Sequence, residues 1–357
     1  MRSGWSRAGF ALCSFSVLPA GTVWEEDDEI LTGRGDSCII KRTQKKVGLP
    51  RRCFHWGKVG VCAAVCPEQA GWRKEEILFM VKILTDSSCD LSVERCAELD
   101  VEMLPITVHF GEESYRANLD ITNGEFYEKL AEAKELPKTA QIPPAFFEQK
   151  FREYQEHGDE VVCLFISSKM SGTLQSATVA KDILGATNIY LPDTLNVTFA
   201  LALLVEEAVK MRDRGLSAPE IVEHIQELIP RVRLWALIDD LKYLKMGGRL
   251  SATSALVASI LGICPIITLK DGLVEVVGKA RGKKAAFKYI EGLVQKHEIS
   301  SDYCVTVGNA NVPETCEDFL EYFEEILKKR EVHCCSIGSI VGTHTGPGAV
   351  GLAYIKK

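Results

Sequence analysis

No apolar run in this 357-residue sequence approaches the roughly 20 residues that cross a membrane. An excess of positive charge is also missing: the formal net charge is −7, so nothing overall favours nucleic acid or an anionic lipid surface. Cysteine pairs at zinc-ligand spacing are absent after residue 79. The eight cysteines there (Cys89, Cys96, Cys163, Cys264, Cys304, Cys316, Cys334, Cys335) read as small buried hydrophobes, and their unpaired state points to the cell interior. What remains is 46% hydrophobic and 25% charged residues, the composition of a soluble chain with material for about two domains.

Residues 1–79 lack any sustained helical or alternating pattern. They hold four of the five tryptophans, five of the thirteen cysteines, and 12 Lys+Arg against 9 Asp+Glu, whereas 80–357 carry 30 against 40. "RKEE" (73–76) can be the translation of a purine-rich ribosome-binding sequence, with Ile77, Leu78 and Phe79 as spacer before Met80. Residues 1–79 are therefore expected to be an upstream region translated in frame, or a disordered extension, with the true start at Met80. A targeting leader, with Arg2 and Arg7 before "AGFALCSFSVLPAG", is the rival, and it would export unpaired cysteines. "CAAVC" (62–66) lies in this stretch and has no second cysteine pair, and "RGD" (34–36) and "NVT" (196–198) read as chance matches.

From residue 80 the pattern alternates. "MVKILTD", "VEMLPITVHF", "EVVCLFIS" and "NIYLPD" read as strands. "LSVERCAELD", "TNGEFYEKLAEAKE", "AFFEQKFREYQEHG", "SGTLQSATVAKDILG" and "FALALLVEEAVKMRDRG" read as helices between or after them. This is an α/β pattern, a Rossmann-like parallel-sheet domain over 80–232. A second α/β domain with a mixed sheet is expected over 233–357. There "RLWALID" is followed by a helix "SATSALVASILG" and a hairpin turning at Asp271-Gly272. Helices 284–297 and 314–330 flank "YCVTVGNA", and the end reads as strand, glycine-rich loop, strand.

Three segments concentrate hydroxyls, glycines and one imidazole. "SSKMSGTLQSA" (167–177) joins a buried strand to a helix, where backbone N–H groups and the donors Ser171 and Thr173 could meet an anion, or where Ser and Thr are ordinary caps. It lacks the glycine–lysine pair of a nucleotide-binding P-loop. "THTGPGA" (343–349) places His344 at the rim of a rigid turn. "LPKTAQIPP" (136–144) holds Thr139 between prolines, in a turn-forming setting. Arg249 in "LKYLKMGGRL" and Arg281 in "KARGKKAA" are either solvated or aimed at an anionic ligand or partner. Two hydroxyls, an imidazole and a helix N-terminus together would satisfy a buried carboxylate without a permanent counter-charge.

Over 80–357 the combination resembles the DegV family, the fatty-acid-binding proteins that serve bacterial fatty acid kinase. The resemblance rests on "TDSSCDL" (85–91), "KTAQIPP" (138–144), "SSKMSGTLQSA", "LKYLKMGGRL", "CPIITLKDG" (264–272), "KARGKKA" and "GTHTGPGAVGL" (342–352). It implies two α/β domains with a long-chain fatty acid between them, carried in the cytoplasm by a monomer with no cofactor, no metal and no ATP site of its own. A partner ATP-dependent fatty acid kinase would phosphorylate the presented carboxylate to an acyl phosphate. The carboxylate-binding residues implied are Thr139, Ser171 and His344, supported by Gly172, Thr173, Thr345 and Gly346. Arg249 and Arg281 fall on family arginines, tied to the phosphate or the kinase. Ala140, where the family often has Ser, and Cys264, where Lys is common, depart from the pattern. A Ser171–His344 hydrolase lacks the first glycine of a nucleophile elbow in "SKMSG". A sensor of some other, small carboxylate is the further alternative.

Overall fold

The computed structural model describes residues 81–357 other than 253 and 255–261, together with four two-residue strands in 1–75. Those strands pair as Val17–Leu18 with Thr22–Val23 and Thr32–Gly33 with Asp36–Ser37. Chain contacts divide the molecule into Met1–Glu75 and Glu76–Lys357. The reading of 1–79 as an extension, and the helix expected over 251–262, fall largely outside the described residues.

In the second unit, strands β1 (Val81–Asp86), β2 (Val101–Leu104), β6 (Glu160–Leu164) and β7 (Ile189–Tyr190) form a wholly parallel sheet in the order β7-β6-β1-β2. β1 and β6 are almost entirely buried, which is why their sequences are continuous apolar runs rather than alternating ones. The stretch read as one extended segment, "VEMLPITVHF", is two strands in two sheets. Pro105 follows β2, and β3 (Thr107–Phe110) instead pairs antiparallel with β4 (Glu113–Arg116) and β5 (Lys138–Ala140). A proline has no N–H for a ladder, so the chain leaves the first sheet there.

The six-stranded sheet is mixed. Its order is β10-β9-β8-β13-β11-β12, built from β8 (Val232–Leu237), β9 (Ile263–Lys270), β10 (Leu273–Arg281), β11 (Val305–Asn309), β12 (Val332–Ser336) and β13 (Val350–Ile355). Only β11 and β12 run parallel. The β9–β10 turn has Asp271 at φ 49° and Gly272 at φ 80°, the left-handed pair that a two-residue hairpin requires.

The helices follow the caps. Helix α1 (Val93–Glu98) starts on Ser92. Helix α2 (Asn123–Glu132) opens on a Thr122/Glu125 capping box and stops before Ala133. Helices α3 (Pro144–His157) and α4 (Thr173–Leu184) end on Gly158 and Gly185 in left-handed conformation. Helix α5 (Thr198–Asp213) is buried on almost every face, as a helix apolar all round must be. It packs on β1 and β6 of the parallel sheet and on β8, β11 and β13 of the mixed one. Helix α6 (Ala218–Leu228), with its Ser217/Glu220 box, is additional to the expected elements. Beyond it come α7 (Lys242–Gly247), α8 (Lys283–Lys296), α9 (Pro313–Tyr322) and α10 (Glu324–Leu327).

One expectation is corrected. The glycine-rich segment before β13 is largely a helix, α11 (Ser339–Thr345), so His344 stands on its last turn and not in an open loop. The Thr343 and Thr345 hydroxyls bond back to the carbonyls of Ser339 and Val341, which lets two β-branched residues sit in a helix. Gly346 then ends it with φ 68°. Among the described residues no helix is long and apolar enough to cross a membrane.

Two fully buried carboxyls join the first sheet to these elements. Asp86 accepts from the Ser88 and Ile166 amides, each within 2.9 Å. Asp90 accepts from Thr198 Oγ1 at 2.6 Å and from the Gly338 amide at 2.9 Å, so it holds the starts of both α5 and α11. Burial pushes Asp90 up to about 7 and also raises Asp86, with the hydrogen bonds opposing in both cases. A raised folded-state value means stability is full below the ordinary aspartate range and falls as pH rises to about 7. In Asp90→Asn, which keeps an acceptor oxygen, the decline in unfolding midpoint between pH 4 and about 7 is expected to be visibly shallower. Thermal unfolding across that range measures it, and an unchanged slope would remove Asp90 from the account.

Candidate functional site

A cavity of about 140 Å³ opens among α11, the start of α5, the turn before α4 and strands β8, β9 and β10 of the mixed sheet. Its apolar wall is drawn from both sides of Val232: Ile106, Ile166 and Phe199 from one, and Leu234, Ile267 and Val341 from the other. Against this wall stand Thr139, Gln141, Ser171, Thr198, Arg249, His344 and Thr345.

The polar side chains near the start of α4 are hydrogen-bonded in separate pairs. Thr139 on β5 sets its Oγ1 3.1 Å from His344 Nε2. Gln141, two residues on, donates from Nε2 to Ser176 Oγ at 2.8 Å and lies over Gly172. A Cβ on Gly172 would meet Gln141 Oε1 at 1.8 Å, so only glycine lets this amide approach. Ser171 Oγ contacts Thr173 Oγ1 at 3.0 Å and accepts from the Thr173 amide at 3.3 Å, one residue before the Gly172 N-cap of α4. Arg249, just after the left-handed Gly248 that stops α7, donates from Nε to the Met170 carbonyl at 3.0 Å and from Nη1 to the Gly247 carbonyl.

His344 is neutral at physiological pH. Burial, and then the neighbouring Arg249 charge, lower it to about 4. Among the described residues its Nδ1 is buried without a partner, against Gly247, where a Cβ would come within 2.3 Å. An unpaired buried N–H costs more than an unpaired lone pair, which assigns the proton to Nε2. Nε2–H then donates to Thr139 Oγ1 and leaves the threonine hydroxyl proton free to point elsewhere.

The structure thus brings Thr139, Ser171, His344, Gly172, Thr345 and Arg249 to one cavity, with Thr173 immediately behind Ser171 and fully buried. Gly346 sits beside the lining, packed on the Tyr243 ring. Arg281 is not with them: it is exposed at the end of β10 and outside the described lining. The expected cradle without permanent charge is also corrected, because Arg249 places a half-buried cation, held down by desolvation, on the same wall. Ala140 points to the surface, and Cys264 is half-buried on β9. Gln141 was not singled out in the sequence reading; its only signal there is its spacing, two residues from Thr139 on the way into α3.

The described residues thus form a parallel and a separate mixed sheet, with an apolar cavity bearing a clustered set of donors, the usual form of a small-molecule site. The chain belongs to the DegV family, whose model, described as an uncharacterised protein family, matches residues 80–357. A DegV domain-containing protein of Clostridium acetobutylicum is 34% identical over 279 residues, covering 78% of this chain and 99% of the relative. Another from Streptococcus pneumoniae is 34% identical over 275 residues, covering 76% and 98%. Among solved structures, a stearic acid-binding protein from Eubacterium ventriosum superposes with TM-score 0.71 at 31% identity, covering 78% of this chain and 99% of that one. DegV of Bacillus subtilis, described as a fatty acid binding protein, gives 0.70 at 28%, covering 78% and 100%.

The state of His344 can be read directly. Proton-detected NMR of its ring should show titration near pH 4, moved upward in Arg249→Met by loss of the second cause, though not to the ordinary histidine value because burial remains. A ring that titrates at 6.5 in the folded chain would put water, not protein, around it.

Proposed function

We propose that this chain binds a long-chain fatty acid, with the hydrocarbon in the apolar cavity and the carboxylate at Thr139, Ser171 and His344. The observation that carries this reading is the sorting within one cavity: hydroxyls, an imidazole, Gln141 and Arg249 cluster together, and the rest of the described lining is nearly all apolar. The fatty-acid-binding descriptions of the E. ventriosum and B. subtilis proteins support it. Each methylene taken from water contributes about 0.8 kcal/mol, so the chain dominates affinity. The carboxylate end supplies orientation: Thr139 donates its free proton, Ser171 sits at the positive end of α4, and neutral His344 holds Thr139 in place.

The chain acts in this reading as a carrier without its own ATP site. Its two halves, divided near Val232, enclose the lipid, and as a cytoplasmic monomer it presents the carboxylate to an ATP-dependent fatty acid kinase for acyl-phosphate formation. In this reading Arg249, on the cavity wall, meets the added phosphoryl charge, and exposed Arg281 meets the kinase. What supports the kinase step is the motif resemblance. A hydrolase is disfavoured, because Ser171 contacts Thr173 while the imidazole is engaged by Thr139, so nucleophile and base are not in contact.

Mass spectrometry of an organic extract of the purified full chain tests the lipid. One long-chain fatty acid per chain is expected, with affinity reduced about tenfold or more in Thr139→Ala or Ser171→Ala, the effect of losing a hydrogen bond to a charged group at about 1.5–3 kcal/mol. An empty, well-folded protein would sink the lipid reading and favour a small carboxylate. For the second step, the loaded chain with ATP alone should form no acyl phosphate and should do so once a fatty acid kinase is added.

A further inference from the structure

Away from the cavity, three ligand-bearing side chains converge where α5 meets the edge of the mixed sheet. Glu206 lies on α5 and Cys304 just before β11, each 2% exposed, and His333 lies on the edge strand β12. Their ligand atoms are all within 4.8 Å of one another. None of the three lines the cavity described above.

The Glu206 carboxylate is divided between two tasks. Oε1 accepts from Arg95 Nε at 3.0 Å. Oε2 faces Cys304 Sγ at 3.8 Å and is in contact with His333 Nδ1. The other ring nitrogen, Nε2, lies 3.0 Å from Glu331 Oε1. The neighbouring carboxylates have their own cation: Lys210 pairs with Glu207 at 2.8 Å and Glu331 at 3.7 Å.

Donor bookkeeping makes this arrangement specific. An ionised carboxylate only accepts, so each ring nitrogen of His333 needs a proton or a cation facing its carboxylate. With a single proton, on Nε2, the lone pair of Nδ1 would face Glu206 Oε2, acceptor against acceptor. A positive centre has to sit between them, either a second ring proton or a cation that also faces Sγ. A carboxylate fixing the far nitrogen of a histidine is the outer partner that metal-bound imidazoles generally have.

We propose that Glu206 Oε2, Cys304 Sγ and His333 Nδ1 bind a divalent ion of the zinc class, with solvent on the exposed side of His333 as the fourth ligand. One sulfur, one nitrogen and one oxygen suit a borderline-soft ion and not a calcium or magnesium site. Tetrahedral zinc separates sulfur and oxygen ligands by roughly 3.5 Å, close to the observed 3.8 Å. It would open the Nδ1–Oε2 contact to roughly 3.3 Å, and His333, on an edge strand and 21% exposed, has room to move outward. As Sγ coordinates, its proton passes to solvent. The ion would staple α5 to segments 98 and 127 residues away in sequence, a structural role separate from lipid binding.

The full chain, reduced with a phosphine and stripped with a chelator, is titrated with zinc by calorimetry and with cobalt(II) by absorption. One zinc per chain with micromolar or tighter affinity, a rise in Tm, and a near-ultraviolet thiolate-to-cobalt band are expected. Cys304→Ser should remove the band. His333→Gln, on the exposed edge, should weaken zinc about tenfold or more, and Glu331→Gln about as much. Cys334→Ser, next to the site but exposed, should leave all three signals intact. No stoichiometric zinc binding would leave a proton as the occupant and overturn the proposal. So would a cobalt band that survives Cys304→Ser, since it would come from other cysteines of the chain.

Discussion

Thr139 and His344 meet 3.1 Å apart across 205 positions of sequence, and the polar end of the cavity depends on that meeting. Neither residue is held by its own segment alone. Thr139 is carried by β5, a three-residue strand whose only ladder partner among the described residues is β3. His344 is carried by α11, whose start is tied down three times. Asp90 accepts the Gly338 amide, Tyr127 donates to the Ile337 carbonyl at 3.0 Å, and Asn123 donates to the Ser336 carbonyl at 3.2 Å. Asp90 also takes the Thr198 hydroxyl at the head of α5. A single buried carboxyl therefore sets two helices relative to the parallel sheet, and one of them delivers the imidazole.

The cavity wall and its donors place opposite demands on the same space. Apolar lining excludes water, which strengthens each remaining polar interaction and penalises any left unpaired. His344 answers by staying neutral, and Arg249 by giving its donors to the carbonyls of Met170 and Gly247. Glycine makes both close approaches possible: Gly172 admits the Gln141 amide, and Gly247 admits the Nδ1 edge of His344. Under the proposed function, the arrangement suits an anionic head on an apolar body better than a ligand polar throughout.

Much of the secondary structure was legible from residues 81 onward. Thr122 with Glu125, the glycine stops at Gly158 and Gly185, and the Asp271-Gly272 hairpin are local chemistry, and local chemistry decided them. The misreadings share another cause. "VEMLPITVHF" is uniformly extended, yet its two halves belong to different sheets, because strand partners come from elsewhere in the chain. The segment before β13 reads as a loop by its glycines, yet is helical because threonine back-bonds and packing against α2 outweigh poor propensity. Of the site, Thr139, Ser171 and His344 stood out through motif resemblance. Gln141 did not, and exposed Arg281 showed that membership in a motif does not place a side chain in the cavity.

The amino-acid sequence by itself determined the alternation of strands and helices, the caps and turns that bound them, and the family to which 80–357 belong, since each rests on residues close together in the chain. Which side chains share a cavity, which nitrogen of His344 carries its proton, and which acid, thiol and imidazole converge beside α5 were decided only by tertiary structure. Those are relations among atoms separated by up to 205 residues, and burial, which sets their charge states, exists only once the sheets have packed.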